Sequence, residues 1–198
     1  MKQFRLDNYQ SAILGSRMTK ARVTSVSAPF LYAQGGVFAR IADAPADKAM
    51  AGGFEVAGDD GSVRSECERL DVSAVLADAL RWARLYGGSC IVPLLADGGS
   101  LTEPLDYRRL DRIAELRVYH IGQVSVSGSL YADAAKPNFG QPEYYEIRTA
   151  GGSFVVHESR LIPIAGDPLP YEAQTSRIYW QGRDAVTRAY QAVLDWEE

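Results

Sequence analysis

The sequence predicts an α+β fold, with mixed helices packed on small antiparallel sheets and a helix at the C-terminal end. Three observations predict it. Apolar residues recur at three- and four-residue steps up to Tyr86, most clearly over 71–86. Short alternating or β-branched runs, broken by Gly and Pro, fill the stretch from Ser89 to Ile164. Helical spacing then returns from Asp184 onward. With 198 residues, 46% of them apolar, the chain can bury a core as one domain over 1–198. Its parts are an N-terminal helix and arm (1–28), a mainly helical part (29–88), a β-rich part (89–178) and a last helix (179–198).

The elements follow in order. Residues 4–14 have the spacing of a short amphipathic helix, and Gly15 to Ala28 reads as an extended arm. Leu31 to Ala51 is helical again, with Val37, Ile41 and Met50 apolar, and Pro45 is expected to split it in two. Gly52-Gly53 closes it. Phe54 to Ala57 alternates as a short strand, and Asp59-Asp60-Gly61 is a turn. Over 71–86, Val72, Val75, Leu76, Ala79, Leu80 and Ala83 make one apolar face. Asp71 suits the N-cap, Leu70 and Val75 a hydrophobic staple, and Gly87 a left-handed stop.

Gly87-Gly88 then precedes the run Cys90 to Leu95. A phosphate cradle places its glycines before a helix, where N–H groups point at the anion. Here they follow one, at the wrong end of the dipole, so the pair predicts a structural corner. Pro93 lacks an N–H and places this strand at an edge or at a bulge. Leu116 to Val126 is strand-like, 144–157 is a hairpin turning at Ala150-Gly151-Gly152, Leu161 to Ile164 is a strand, and Gly166 to Thr175 is a loop. In the last helix Val186, Ala189, Tyr190, Val193 and Leu194 share a face. Asp195-Trp196-Glu197-Glu198 offers no stop signal and opposes the macrodipole, so the helix is expected to continue in a longer protein.

Composition excludes more than it proposes. The net charge of −4 lacks the basic excess of a nucleic-acid-binding domain. No apolar run is long enough to span a membrane, and MKQFRLDNYQ lacks the apolar core of a signal peptide. Cys67 and Cys90 have neither metal nor disulfide spacing, which suits reduced thiols in a soluble cytoplasmic protein.

The two histidines are His120 and His157. The stretch VHESRL groups His157, Glu158, Ser159 and Arg160, but triad members meet in space rather than in sequence. A hydrogen-bonding corner is the expected role of His157. A two-histidine phosphoesterase needs two His-x-Ser/Thr motifs; His157-Glu158-Ser159 fits one, and His120-Ile121-Gly122 does not supply the other. Asp43 and Asp47, and likewise Arg81 and Arg84 with Tyr86, read as solvated surface. No metal, nucleotide or other cofactor motif is present. Eleven tyrosines favour a subunit with protein interfaces.

The stretch ALRWARLYGGSCIVPLLADGGSLTEPLD (79–106) resembles a segment of tailed-bacteriophage portal proteins. It has a helix ending in Arg-x-Tyr-Gly-Gly, then a strand, then Asp97-Gly98 and Pro104-Leu105. FGQPEYYEI (139–147), VHESRLIPIAGDPLP (156–170) and YWQGRDAVTRAYQAVLDWEE (179–198) follow in the order expected of that family, and the N-terminal FRLDNYQSAILGSRMTKA fits as well. WQGRDAV departs from the family's Trp-Gly-small pattern by an insertion.

The resemblance implies a portal wing-like α+β unit whose last helix begins the stem. It further implies a structural, non-enzymatic subunit of a ring, most often of twelve copies, at one vertex of the phage head. Double-stranded DNA is packaged and ejected through such a ring, with terminase, capsid or scaffold and head–tail adaptor proteins as partners. The setting is the virion and, during assembly, the host cytoplasm. The structural and assembly positions it implies are Gly87, Gly88, Asp97, Gly98, Pro104, His157, Ser159, Arg160, Trp180 and Gly182. Some relatives resemble this module joined to an anti-defence phosphodiesterase acting on cyclic nucleotides, and a head–tail adaptor is a further alternative.

Overall fold

The computed structural model describes residues 28–54, 56–57, 61–169 and 178–197. The expected helix over 4–14 and most of the arm lie outside them, as do Asp59 and Asp60. The fold is α+β, as the sequence predicts. Among the described residues four helices come first: α1 (Ala28–Ala33), α2 (Gly36–Met50), α3 (Ser62–Arg69) and α4 (Val72–Tyr86). Six strands follow: β1 (Gly88–Leu95), β2 (Ile113–His120), β3 (Val124–Leu130), β4 (Pro142–Thr149), β5 (Gly152–His157) and β6 (Ile162–Ala165). Helix α5 (Ala185–Glu197) comes last.

The strands form two antiparallel three-stranded sheets, ordered β2-β1-β6 and β3-β4-β5. The chain enters the second sheet through a 3-10 turn, Ile121–Gln123, and leaves it through another, Glu158–Arg160. The predicted hairpin over 144–157 is β4–β5, with Tyr144 opposite His157.

Two apolar clusters hold the layers together. Cys90, Val92, Tyr145, Ile147, Val156 and Trp180 lie in the cluster between the sheets. Leu31, Phe38, Leu85, Val186 and Tyr190 join α1, α2, α4 and α5. Tyr86 packs against both and stacks on His120, ring centroids 3.9 Å apart. Burial pushes the Cys90 thiol up to about 12.

Several expectations need correction. Pro45 does not split the helix; α2 runs through it. The break falls earlier, at Gly35 and Gly36, both at positive φ. Proline cannot donate to the carbonyl four residues back, that of Ile41. Arg84 replaces the missing donor: its Nε donates to the Ile41 carbonyl at 3.0 Å. Arg84 is therefore not a merely solvated side chain. Arg81 is not one either. It pairs with Asp43 at 2.8 Å, Asp47 at 2.9 Å and Asp78, while the Tyr32 hydroxyl donates to Asp43. This network staples α1, α2 and α4.

Phe54 to Ala57 forms no strand among the described residues. Phe54 and Val56 lie exposed in a connection between helices, with no partner strand to pair with. Helix α3, which the apolar pattern does not reveal, buries no residue and carries the surface pairs Arg64–Glu68 and Arg69–Glu66. Asp71 stands at the N-cap of α4, but its side chain makes no capping bond. Only Leu70 and Asp71 separate α3 from α4, and Asp71 takes the left-handed turn itself at φ 48°. Of the two alternatives that Pro93 left open, an edge or a bulge, the bulge holds: β1 is the central strand of its sheet. Its pairing with β6 ends at Ile91–Ile162, two residues before Pro93, and its register with β2 shifts just after, between Leu94 and Leu95.

Candidate functional site

The candidate positions gather into two corners. The first is made of backbone. Helix α4 ends at Gly87, whose φ of 84° and ψ of 18° are left-handed and whose N–H donates to the Ala83 carbonyl at 2.9 Å. The Gly87 carbonyl in turn accepts the Gly182 N–H at 2.7 Å. Asp167 and Arg183 exchange two further backbone bonds, of 3.1 and 2.8 Å. Three segments thus touch main chain to main chain, which only glycine permits. A Cβ on Gly87 would stand 2.5 Å from the Gly182 carbonyl oxygen. One on Gly182 would strike the Asp167 carbonyl, and one on Gly166 the Gly87 carbonyl. Trp180, 3% exposed, lays its ring against Gly88. The diglycine is a packed corner in which the Gly87 N–H and carbonyl are both hydrogen-bonded within the protein. Gly166 is the partner that sequence reasoning missed; a glycine in a proline-containing loop carries no periodic signal.

The second corner is ionic. Asp97-Gly98, at the end of β1, opens the long connection to β2, with Gly98 at φ 67°. The corner between β5 and β6 grips that connection. Arg160 Nη2 meets Asp97 Oδ2 at 2.6 Å, both side chains 3% exposed, and Arg160 Nε donates to the Glu103 carbonyl at 2.6 Å. The guanidinium, aided by the Gly99 N–H, holds the Asp97 carboxyl below the usual carboxylate range. The His157 N–H donates to the Leu101 carbonyl at 2.8 Å, and the Leu105 N–H donates to Ser159 Oγ at 2.8 Å. Pro104 sits exposed between Glu103 and Leu105, where its missing N–H leaves nothing unpaired.

His157 is buried and its Nδ1 is committed. It accepts the Ser159 N–H at 3.1 Å and lies 2.8 Å from Ser159 Oγ. An accepting Nδ1 places the proton of the neutral ring on Nε2. The ring also meets Tyr144 edge-on, with centroids 5.4 Å apart. The geometry is that of a hydrogen-bonding corner. The two corners do not merge into one site. Among the described residues no group of three or more His, Cys, Asp or Glu side chains is arranged to hold a metal ion. A hollow of about 720 Å³ lies beside Gly53, Phe54, Arg64 and Cys67 and includes no candidate position.

The chain is 35% identical over 118 residues to the anti-CBASS protein Acb1 of Caulobacter sp. (strain RHG1), covering 58% of this chain and 18% of that protein. It is 31% identical over 102 residues to an uncharacterized protein of Haemophilus influenzae (strain ATCC 51907 / DSM 11121 / KW20 / Rd), covering 52% of this chain and 23% of that one. These alignments span only about a fifth of either relative's length. The family described as phage portal protein matches residues 28–198, a stretch that takes in both corners and all six strands, and the chain belongs to that family.

Proposed function

We propose that this chain is the wing-like portion of a portal subunit and that its role is structural. Copies close head to tail into a ring, about twelve in number, because such a contact closes when its rotation divides a full turn. Double-stranded DNA passes through that ring without sequence-specific readout. Terminase, capsid or scaffold and head–tail adaptor proteins dock on it, in the virion and during assembly in the host cytoplasm. Helix α5 begins the stem. Gly87, Gly88, Trp180 and Gly182 hold one corner of the unit for assembly, and Asp97, Gly98, Pro104, His157, Ser159 and Arg160 hold the other.

The observation that carries this reading is the family match over residues 28–198. The commitment of the Gly87 backbone groups and of the Arg160–Asp97 pair to contacts within the fold supports it. The described residues contain no helix long and apolar enough to cross a membrane, which is compatible with it. Negative-stain images of the protein expressed from its complete reading frame test it. Closed rings are expected; a protein that stays strictly monomeric at high concentration counts against the portal role.

The similarity to an anti-CBASS protein favours a second reading, in which this module sits beside an anti-defence activity. Protein expressed from its complete reading frame and offered cyclic oligonucleotides separates the two. No turnover above an enzyme-free control is expected. Turnover that vanishes in a His157→Ala variant with unchanged circular dichroism overturns the structural role.

A further inference from the structure

The two sheets differ in how their open edges are guarded. In the first, β2 carries Glu115 and Arg117, and β6 is four residues long and contains Pro163. Charge, brevity and proline are the ordinary defences against edge-to-edge pairing. The second sheet ends on β3 (VSVSGSL) and β5 (GSFVVH), and neither strand holds a proline, Lys, Arg, Asp or Glu. The irregularity of β3 falls only beyond Ser127.

The hydrogen bonds fix which backbone groups these edges present. His157 lies opposite Tyr144 in register, yet its N–H donates outward, to the Leu101 carbonyl at 2.8 Å. Successive residues of a strand turn their N–H and C=O to opposite sides. Ser153 and Val155 therefore also face away from β4, whereas Phe154 and Val156 bond to Ile147 and Tyr145. That leaves Glu146 and Tyr144 of β4 to bond Ser125 and Ser127 of β3, so Val124 and Val126 face outward on the far edge. The Val124 N–H is accordingly taken from that side, by the Ile121 carbonyl. Among the described residues no hydrogen bond from outside the sheet reaches the main chain of Val126, Ser153 or Val155.

We infer that β5 of one copy pairs edge to edge with β3 of a second copy, so that the second sheet continues from subunit to subunit. Both strands run antiparallel to β4 and thus parallel to each other. Head-to-tail repetition in a ring sets copies side by side, with the same strand direction and the same face inward. A parallel ladder then requires each bonding residue to reach the two neighbours of the residue beside it. The free groups meet that requirement. With Val126 beside Phe154, the Val126 N–H donates to the Ser153 carbonyl and the Val155 N–H to the Val126 carbonyl. The Ser153 N–H donates to the Val124 carbonyl. Val126 and Phe154 already pack against the cluster between the sheets, so the apolar face runs on across the joint, with Ser125 beside Ser153 on the other face. An antiparallel pairing of the same groups would set Val126 opposite Ser153 or Val155 and turn one apolar face outward. The ladder ends where Leu101 occupies the next N–H of β5 and where β3 loses register beyond Ser127. The contact rests on the portal reading and names an interface by which that ring closes.

Cross-linking of the protein expressed from its complete reading frame tests the contact. In a Cys67→Ser background, Ser125→Cys with Ser153→Cys places two thiols side by side in neighbouring copies, Cα atoms about 4.8 Å apart, within reach of a disulfide. Within one copy β4 stands between them, and Cα atoms roughly 9 Å or more apart cannot be bridged. Mild oxidation should give a ladder of covalent multimers on a non-reducing gel. Ser127→Cys with Ser153→Cys, out of register by two residues, should give far less. Val155→Pro removes a donor of the joint and no bond within the sheet, since an edge strand accepts proline where its N–H faces out. It should weaken self-association in sedimentation by about tenfold or more, with unchanged circular dichroism. Rings that form without the in-register cross-link, or equal cross-linking of the two pairs, overturn this contact and leave the portal reading standing. Rings that form as readily from a folded Val155→Pro protein do the same; if that variant loses its fold, the cross-link alone decides. Covalent multimers without closed rings support the contact and count against the portal reading. Wild-type protein that stays monomeric overturns both.

Discussion

Pro45 and Arg84 should be thermodynamically coupled although neither touches an obvious site. Interior proline disfavours a helix by about 3 kcal/mol relative to alanine, partly by orphaning the carbonyl four residues back. Here that carbonyl belongs to Ile41, and Arg84 Nε donates to it at 3.0 Å from the neighbouring helix. Arg84→Met keeps most of the aliphatic stem and leaves the half-buried carbonyl without a donor. A group stranded in this way costs about 1–3 kcal/mol. In a Pro45→Ala background the new amide N–H reaches the same carbonyl, and Arg84→Met then loses only local packing, roughly 0.5 kcal/mol. The cycle should close with an interaction of about 1–2 kcal/mol, and Pro45→Ala alone should stabilise. Urea unfolding of the four proteins, followed by tryptophan fluorescence, measures it. An interaction below about 0.3 kcal/mol means that the Arg84 bond does not answer the proline and refutes the reasoning.

Gly87→Ala combines a left-handed backbone with contact against the Gly182 carbonyl, so it should destabilise by about 2–5 kcal/mol; Gly140→Ala, left-handed too at φ 78° but in open space, should show only the backbone part, about 1–2 kcal/mol. Equal effects in a thermal melt would deny the close approach. Arg160→Met strands a buried carboxylate and should destabilise by about 3–5 kcal/mol at neutral pH. Because Arg160 lowers the native pKa of Asp97, the unfolded chain binds that proton more readily. This contribution is therefore complete above the ordinary carboxylate range, near about 3.9, and is lost as pH falls through the lower native value. Stability measured across acid pH should accordingly lose part of its acid limb in the variant, and an unchanged limb would contradict the assignment. Under a thiol-modifying reagent at neutral pH, half-exposed Cys67 should react first and Cys90, buried with its thiol pushed up to about 12, only on unfolding; simultaneous labelling of the native protein would contradict the described core.

Much of the fold was legible because periodicity reports burial. Helix α4, the β4–β5 hairpin and α5 each bury one face against the core, and each shows it in the spacing of apolar residues. Helix α3 buries nothing and therefore leaves no such trace. Pro45 was misleading for a related reason. Its local rule is sound, but the compensating donor lies on another helix, 43 residues away from Ile41 in sequence. The alternation at Phe54 to Ala57 failed as a strand because alternation has meaning only where a partner is available to pair. At the candidate corners, sequence marked Gly87 as a helix stop and His157 as a hydrogen-bonding residue from local chemistry alone. It could not pair Gly87 with Gly166 and Gly182, or Arg160 with Asp97, because those contacts are set by tertiary geometry.

The two corners join different parts of the molecule, and the chemistry of each suits what it joins. Gly87, Gly166 and Gly182 lie where α4 becomes β1, where β6 ends and where α5 is about to begin, so their contact fixes the helical layer and the last helix against the first sheet. Backbone packed on backbone has few alternative geometries, because a shift of a few tenths of an ångström either breaks the Gly182–Gly87 bond or drives carbonyls into Cα atoms. That rigidity matters if α5 is to leave the unit in one direction. The second corner joins the exit from the second sheet to a loop of the first through side chains. Buried ion pairs are weak sources of net stability but strict about partners, since a misregistered loop would leave Arg160 or Asp97 charged, buried and alone. The pairing therefore selects one position of the loop over its neighbours. The Tyr107–Arg109 turn, carried on that same loop with no buried residue of its own, inherits its orientation from Arg160.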